Sequence, residues 1–137
     1  MYVKRIVLKK LEDIACMIEA ARGSGVFGEN GLFTRAELEY CANRPRCLGA
    51  RFIIKECIFD YLESEIGYVE KNYREIEIIN NELRKPMIRL FDGIRDCVKS
   101  LKINDILVSI SHSRKWITGM VLFCYQAQSG SGNPLYQ

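Results

Sequence analysis

The chain has 137 residues, of which 48% are hydrophobic and 27% charged, and its formal net charge is +3. This composition is typical of one soluble globular domain that buries roughly two-thirds of its unfolded surface. No apolar run approaches the roughly 20 residues of a membrane helix, and the basic amino terminus lacks the apolar core of a signal peptide. We therefore expect a cytoplasmic protein without a membrane partner. The modest charge, without an aromatic-interleaved basic stripe, predicts no nucleic-acid partner.

Six cysteines are scattered along the chain without a C-x-x-C pair: Cys16, Cys41, Cys47, Cys57, Cys97 and Cys124. Most lie in apolar runs or on apolar faces. Small buried thiols are the expected state, and a disulfide or a metal site is the alternative.

The first third of the chain predicts a strand, a helix and a second helix. Val3–Leu8 is β-branched and apolar, and Glu12–Arg22 has an apolar face at helical spacing. A glycine-rich loop follows. Thr34 and Glu37 have the spacing of a capping box, so a helix begins at Thr34 and ends before Pro45.

The remaining elements follow in alternation. Hydrophobic patterning predicts a long helix, a hairpin-like strand pair, a short helix and two paired strands: Cys47–Glu63, Tyr73–Asn80 with Met87–Leu90, Gly93–Leu101, and Ile106–Ile110 with Trp116–Tyr125. We expect Phe52, Cys57, Phe59 and Leu62 to be buried in the long helix. The order predicts a mixed α+β fold with an antiparallel sheet. Residues 1–128 form the predicted domain, and the polar residues 129–137 form a flexible tail.

Four segments carry a family pattern, in the order Phe33–Cys41 (F-T-R-A-E-L-E-Y-C), Arg51–Cys57 (R-F-I-I-K-E-C), Glu75–Pro86 (ending R-K-P) and Ser109–Ser113 (S-I-S-H-S). Together they resemble the AcpS-type holo-acyl-carrier-protein synthases, which are small 4'-phosphopantetheinyl transferases. The resemblance implies the AcpS-like fold, an antiparallel sheet with a long helix packed on it.

The resemblance also implies an activity and its partners. The family transfers 4'-phosphopantetheine from coenzyme A to a serine of an acyl carrier protein in fatty-acid or polyketide-type biosynthesis. It uses Mg²⁺ and assembles as homotrimers with sites between subunits. We therefore expect Mg²⁺, coenzyme A, an acyl carrier protein and two further copies of the chain as partners.

The family pattern assigns roles to individual residues. By resemblance, Glu56 is a metal ligand and a catalytic residue, and Lys55 and His112 are the other catalytic candidates. Arg51, Lys85, Ser111 and His112 are the expected contacts of coenzyme A. Arg51 and Lys55 share a helix face at i and i+4.

Each of these residues also has a structural interpretation. The helix positions would equally suit a solvated or ion-paired face, and His112 would suit a capped strand end. The whole polar cluster would also suit groups that only satisfy one another.

Several positions depart from the family pattern. The family's second metal ligand, an aspartate, aligns with Val7 or Lys10, depending on the register, so Glu12 or Asp13 would have to replace it. Acidic or hydroxyl side chains replace a lysine and a Gly-Thr-Gly turn: Asp60, Glu63, Ser64 and Glu65. Like charges near phosphates are unfavourable, so these changes predict weak or absent magnesium-dependent binding of coenzyme A.

Three functions remain open. The first is a working transferase with a displaced metal ligand. The second is an AcpS-fold homologue, redirected or inactive, that binds a carrier protein and acts on its tethered acyl chain or serves as a non-catalytic subunit. The third is an unrelated binding module.

Overall fold

A computed structural model describes residues 2–10, 31–42 and 44–125 as a mixture of strands and helices. The strands are β1 Tyr2–Lys10, β2 Ile76–Asn80, β3 Pro86–Leu90, β4 Ile103–His112 and β5 Trp116–Tyr125. The helices are α1 Arg35–Cys41, α2 Pro45–Ile66 and α3 Asp92–Ser100, with a 3-10 turn at Tyr73–Glu75.

The strands form two antiparallel sheets. One has the order β1-β5-β4, and the other is the β2–β3 pair. Val121 in the central strand β5 pairs with Arg5 of β1 and with Val108 of β4. The predicted α+β class with antiparallel pairing is confirmed.

The long helix α2 packs against β5 at Gly119. A Cβ atom there would lie 2.9 Å from Cδ1 of Ile54 and 3.3 Å from Cδ1 of Ile53. The missing side chain lets the helix approach the sheet closely. Phe59 of α2 and Phe123 of β5 are fully buried in the same core.

The opposite face of the three-stranded sheet is less covered. Leu107 of β4 is 45% exposed, and its partner Leu122 is half-buried. Ser109 is exposed beside half-buried Met120. Apolar side chains thus remain accessible on this face.

The helix bounds differ from the prediction for local reasons. The helix α1 ends at Cys41 because Ala42 adopts a left-handed conformation (φ 48°) and its N–H donates to Leu38 O. The helix α2 is longer than predicted because Pro45 fits the first turn, where its missing N–H costs nothing. Its Phe52 is only partly buried, whereas Cys57, Phe59 and Leu62 are buried as predicted.

The strand bounds also shift. The predicted strand Tyr73–Asn80 begins instead at Ile76, because the three residues before it form the 3-10 turn. The strand β4 extends the predicted Ile106–Ile110 in both directions, with an irregularity between Ile103 and Asp105. The predicted strand Trp116–Tyr125 is confirmed.

The predicted helix Glu12–Arg22, most of the glycine-rich loop and the tail 129–137 lie outside the described residues. No described helix has the length and apolarity needed to cross a bilayer.

Two cysteines differ from the expected thiol state. Cys41 at the end of α1 and Cys47 in the first turn of α2 form a disulfide, with their Cα atoms 5.3 Å apart. The prediction of free thiols is wrong for this pair, because the turn between the two helices brings their sulfur atoms together. Cys97 and Cys124 are free thiols, Cys57 is buried in α2, and Cys16 lies outside the described residues.

Candidate functional site

The start of α1 is fixed by the predicted capping box. The Thr34 hydroxyl accepts a hydrogen bond from the Glu37 N–H at 3.3 Å, and Glu37 Oε1 accepts one from the Thr34 N–H at 2.9 Å. The Thr34 hydroxyl also donates to Oε2 of Glu77 at 2.6 Å. The capping carboxylate therefore lies at the inner end of the helix, beside β2.

Glu37 has a second role, as the partner of Lys55. Lys55 Nζ lies 2.6 Å from Glu37 Oε1, and both side chains are 0% exposed. Nζ also donates to Leu32 O at 2.8 Å, and Glu37 Oε2 accepts from the Ile78 N–H at 3.0 Å. Burial lowers the pKa of Lys55, and the Glu37 carboxylate opposes that shift. This position does not favour a role for Lys55 as an acid or base towards a bound substrate.

Arg51 lies one turn earlier on α2 and is nearly buried. Its Nε donates to Ile78 O at 3.1 Å and its Nη2 to Asn80 Oδ1 at 2.6 Å. Its Nη1 lies 3.4 Å from both O and Sγ of Cys47, and the guanidinium carbon stands 4.9 Å from the centre of the Tyr40 ring. Burial lowers its pKa, and the Glu37 carboxylate opposes that shift. Arg51 is thus held rigidly by α2, β2 and the disulfide.

A cavity of about 1050 Å³ opens beside Arg51. The connection between α1 and α2, the β2–β3 turn and the strand β4 form its walls. Five cationic side chains are among its described lining residues: Arg44, Arg46, Arg51, Arg84 and Lys85. The described lining contains no acidic side chain. Such a surface attracts anionic ligands.

The β2–β3 turn brings two of these cations to the cavity. Arg84 adopts a left-handed conformation (φ 63°), although it stands where the family pattern has glycine. The side chain of Asn81 holds the turn by accepting hydrogen bonds from the N–H groups of Leu83 and Lys85, both at 2.9 Å. The amide group of Asn80 donates to Arg84 O at 3.0 Å. The turn therefore keeps a glycine-like backbone while it presents Arg84 and Lys85.

Glu56 follows Lys55 on α2 and is half-buried. The Tyr73 hydroxyl donates a short hydrogen bond to its Oε1. Burial raises the pKa of Tyr73, and the bond to Glu56 and the charges of Asp60 and Glu63 raise it further. The hydroxyl therefore stays protonated and remains a donor at neutral pH.

The other predicted residues lie at the end of β4. Ser111 is exposed and pairs with Thr118, and the backbone of His112 pairs with Ile117. The side chain of His112 lies outside the described part of the structure. Ser109, two residues before Ser111, lines the cavity.

The helix α2 presents a carboxylate, which is the donor type that magnesium prefers. Mg²⁺ is usually held by one or two carboxylates together with waters and substrate phosphates. Glu56 is one such carboxylate, and Asp60 follows it by one helical turn. The described residues contain no group of three carboxylate, imidazole or thiol side chains that could hold an ion. The backbones of Val7 and Lys10 lie in β1, whereas Glu12 and Asp13 lie outside the described residues.

The sequence pattern missed several residues of the site. Arg44 and Arg46 lie in no motif, and Asn80 lies in one that assigned it no role, because these residues meet only when two connections fold against β4. Arg84 was noted only as a replaced glycine. Tyr73 carried no signal, because it belongs to no matched motif position and was assigned only to the predicted strand Tyr73–Asn80.

Comparisons with known proteins agree with the resemblance. No protein-family model matches the chain. A holo-[acyl-carrier-protein] synthase of Dehalococcoides mccartyi (strain CBDB1) is 34% identical over 93 residues, which are 68% of this chain and 76% of that protein. One of Ruminiclostridium cellulolyticum is 36% identical over 100 residues, or 69% and 72% of the two chains.

Solved structures show the same fold. A Chronobacterium ammoniagenes ACPS–CoA complex superposes with a TM-score of 0.73 at 21% identity, over 93% of this chain and 99% of that one. The Helicobacter pylori holo-[acyl-carrier-protein] synthase in complex with coenzyme A gives a TM-score of 0.70 at 17% identity, over 88% and 99%. The predicted AcpS-like fold is confirmed, and the chain belongs to the holo-acyl-carrier-protein synthase family.

Proposed function

We propose that the chain transfers the 4'-phosphopantetheine arm of coenzyme A to a serine of an acyl carrier protein. The cation-lined cavity is the observation that carries the proposal. Coenzyme A bears a pyrophosphate and a 3'-phosphate, and five cationic side chains without an opposing described carboxylate suit such a ligand. Two relatives with this fold have been solved with coenzyme A.

The acidic substitutions along α2 leave this cavity intact. Asp60, Glu63, Ser64 and Glu65 are absent from its described lining. Asp60 is exposed and Glu63 is half-exposed, with Lys71 Nζ 3.5 Å from its Oε1. These acidic groups therefore need not repel a phosphate bound beside Arg51. The loss of coenzyme A binding expected from the sequence does not follow from the arrangement of the described cavity.

The transfer is a phosphoryl substitution. The carrier serine oxygen forms a bond to phosphorus, the anhydride P–O bond breaks, and adenosine 3',5'-bisphosphate leaves. The serine proton is lost in the same exchange. In the proposed site Arg51, Arg84 and Lys85 bind the phosphates of the leaving group, so the charge that develops there meets fixed cations.

Glu56 is absent from the described lining of this cavity, so in the proposed trimer it would hold the magnesium ion where it meets the cavity of another copy. When bound, the ion neutralises charge on the pyrophosphate. By resemblance, Ser111 and His112 contact the nucleotide, and His112 is the candidate proton acceptor. Lys55 contributes through its pair with Glu37, which fixes the segment of α2 that carries Glu56.

The wider setting follows the family. We propose a homotrimer in the cytoplasm that serves fatty-acid or polyketide-type biosynthesis. The partly exposed apolar face of the three-stranded sheet supports association between copies.

The test is the mass of the carrier protein. Apo carrier protein incubated with the chain, coenzyme A and Mg²⁺ should gain the mass of the arm. Lys85→Glu should weaken coenzyme A binding by about tenfold or more, because it places a carboxylate on the cavity wall. Arg95→Glu is the matched control, since Arg95 is exposed on α3 and does not line the cavity. No added mass, with intact coenzyme A binding, would favour the redirected or non-catalytic homologue.

A further inference from the structure

Tyr73 contacts Glu56 from outside α2. It begins the 3-10 turn that precedes β2, and its hydroxyl donates to Glu56 Oε1 across a separation of 17 residues. No ion pair joins Glu56 to any described lysine or arginine side chain. The phenol is therefore the hydrogen-bond donor that the described part of the chain supplies to this carboxylate.

The position of the phenol is fixed by aromatic packing. The Tyr73 ring stacks on Phe52, with centroids 5.7 Å apart and planes 13° apart. It also makes a T-shaped contact with Phe59, with centroids 5.0 Å apart and planes at 78°. Both phenylalanines belong to α2, the helix that carries Glu56. The ring is thus locked to the same rigid element as the carboxylate that it binds.

An unassisted Glu56 would be poorly oriented. A glutamate on a helix has several side-chain rotamers, and Asp60 one turn away repels it. A hydrogen bond from a fixed donor selects one orientation of the carboxylate. The bond from Tyr73 occupies Oε1 of Glu56, whereas Oε2 has no hydrogen bond to any described residue.

We propose that Tyr73 is a positioning residue that holds Glu56 Oε1 and thereby presents Oε2 to the divalent cation that accompanies coenzyme A. The inference rests on the proposed function, because that function supplies the cation. Carboxylate ligands depend on such hydrogen-bonding partners, whose loss typically costs 10–100-fold in metal affinity. Neither Val7 nor Lys10 carries a carboxylate. Metal affinity at this site therefore depends more heavily on the orientation of Glu56.

The test is Tyr73→Phe, which keeps the ring and removes the hydroxyl. Mn²⁺ is titrated into the protein–coenzyme A complex without carrier protein. Electron paramagnetic resonance then measures the affinity for the metal. We expect the Mn²⁺ dissociation constant to rise about 10–100-fold. In the transfer assay, the Mg²⁺ concentration for half-maximal rate should rise similarly, while the rate at saturating Mg²⁺ stays close to that of the parent. Tyr68→Phe is the control, because Tyr68 is 88% exposed.

A double-mutant cycle separates positioning from general packing. Glu56→Gln removes the charge that binds the cation. If Tyr73 acts through Glu56, adding Tyr73→Phe to Glu56→Gln should change the Mn²⁺ dissociation constant by less than about twofold. An effect of equal size in both backgrounds would assign Tyr73 a structural role only.

Failure of this inference differs from failure of the proposed function. Equal Mn²⁺ affinity in the parent and Tyr73→Phe, with normal transfer, overturns the inference alone. If the transfer reaction needs no divalent cation, the inference is overturned and the proposed function stands. A parent protein that binds neither coenzyme A nor Mn²⁺ and transfers no arm overturns both.

Discussion

Burial removes a charged group from water, so other polar groups must replace the lost hydrogen bonds. Lys55 and Glu37 have several such partners. Their ion pair is supplemented by bonds to Leu32 O and from the Ile78 N–H. An arrangement of this kind is costly to break from one side, because the remaining charge is then buried alone.

We expect Lys55→Met to lower the free energy of unfolding by about 3–5 kcal/mol, because it leaves the Glu37 carboxylate buried without its cation. Urea denaturation measures the change. Lys115→Met, at an exposed position, should stay within about 0.5 kcal/mol of the parent. Adding Glu37→Gln to Lys55→Met should recover part of the loss. A loss below about 1 kcal/mol for Lys55→Met would show that the pair contributes little.

At this scale the sequence predicted only local partners. The capping box is visible because Thr34 and Glu37 are three residues apart. The bond from Lys55 to Glu37 spans 18 residues and depends on how α1 packs on α2. No rule of sequence spacing connects Glu37 with Lys55. The family pattern therefore gave Lys55 a catalytic role, although its ammonium group is buried.

Among the elements, the β2–β3 turn combines an unfavourable backbone with a useful side chain. A non-glycine residue in the left-handed region costs roughly 1–2 kcal/mol, and glycine removes that cost but adds chain entropy to the unfolded state. Arg84 therefore carries a small strain at the cavity wall.

We expect Arg84→Gly to raise the free energy of unfolding by up to about 1 kcal/mol and to weaken binding of adenosine 3',5'-bisphosphate. Thermal unfolding and calorimetric titration measure the two effects. Arg84→Lys is the control for charge, and it should retain most of the binding without gaining stability. Stronger binding by the glycine variant would mean that Arg84 does not contact the ligand.

The disulfide constrains the connection between α1 and α2. It closes a short loop, with a sequence separation of 6 between Cys41 and Cys47. Loop-closure entropy for so few residues gives about 2 kcal/mol of stabilisation.

We expect a dithiol reductant to lower the free energy of unfolding by about 2 kcal/mol, because the unfolded chain then regains that loop entropy. The Cys41→Ser/Cys47→Ser variant should show a similar loss and should no longer respond to the reductant. Cys97→Ser is the control, since Cys97 is free. Alkylation of the denatured protein should leave Cys41 and Cys47 unmodified before reduction and should label both after it.

The type of each helix or strand was easier to predict than the residues at which it begins and ends. The patterns of α2 and β5 are long and strongly apolar, so both were located from the sequence. The sequence predicts a strand at the 3-10 turn Tyr73–Glu75, because these residues run directly into the β-branched residues of β2. The bonds from the Glu75 N–H to Asn72 O, at 3.1 Å, and from the Ile76 N–H to Tyr73 O distinguish it from a strand.

For the whole molecule, the partly exposed face of the three-stranded sheet favours association. We expect light scattering to give three times the 15.8 kDa chain mass. Leu107→Glu should dissociate the assembly, because it places a charge on that apolar face, while Tyr68→Glu should leave the mass unchanged. A monomer mass for the parent protein at micromolar concentration would contradict the proposed trimer.

The fold as a whole was predictable because four motif segments occur in the family's order. The cavity was less predictable. Its cations come from two connections that are far apart in sequence, and neither connection has a hydrophobic period from which its path could be inferred. Arg51, Arg84 and Lys85 lay within recognised segments, whereas Arg44 and Arg46 lay in none.

The sealed pair of Lys55 and Glu37 also limits how this lineage can change. Losing either partner alone would cost a large share of the about 5–15 kcal/mol that holds a typical domain folded. Selection would therefore remove most variants that have lost only one of the two charged residues before the second substitution arose. Replacement by two apolar residues would be tolerated only if both changes arrived nearly together. We therefore expect descendants of this sequence to inherit the two residues as a unit, even where Glu56 and the cavity diverge.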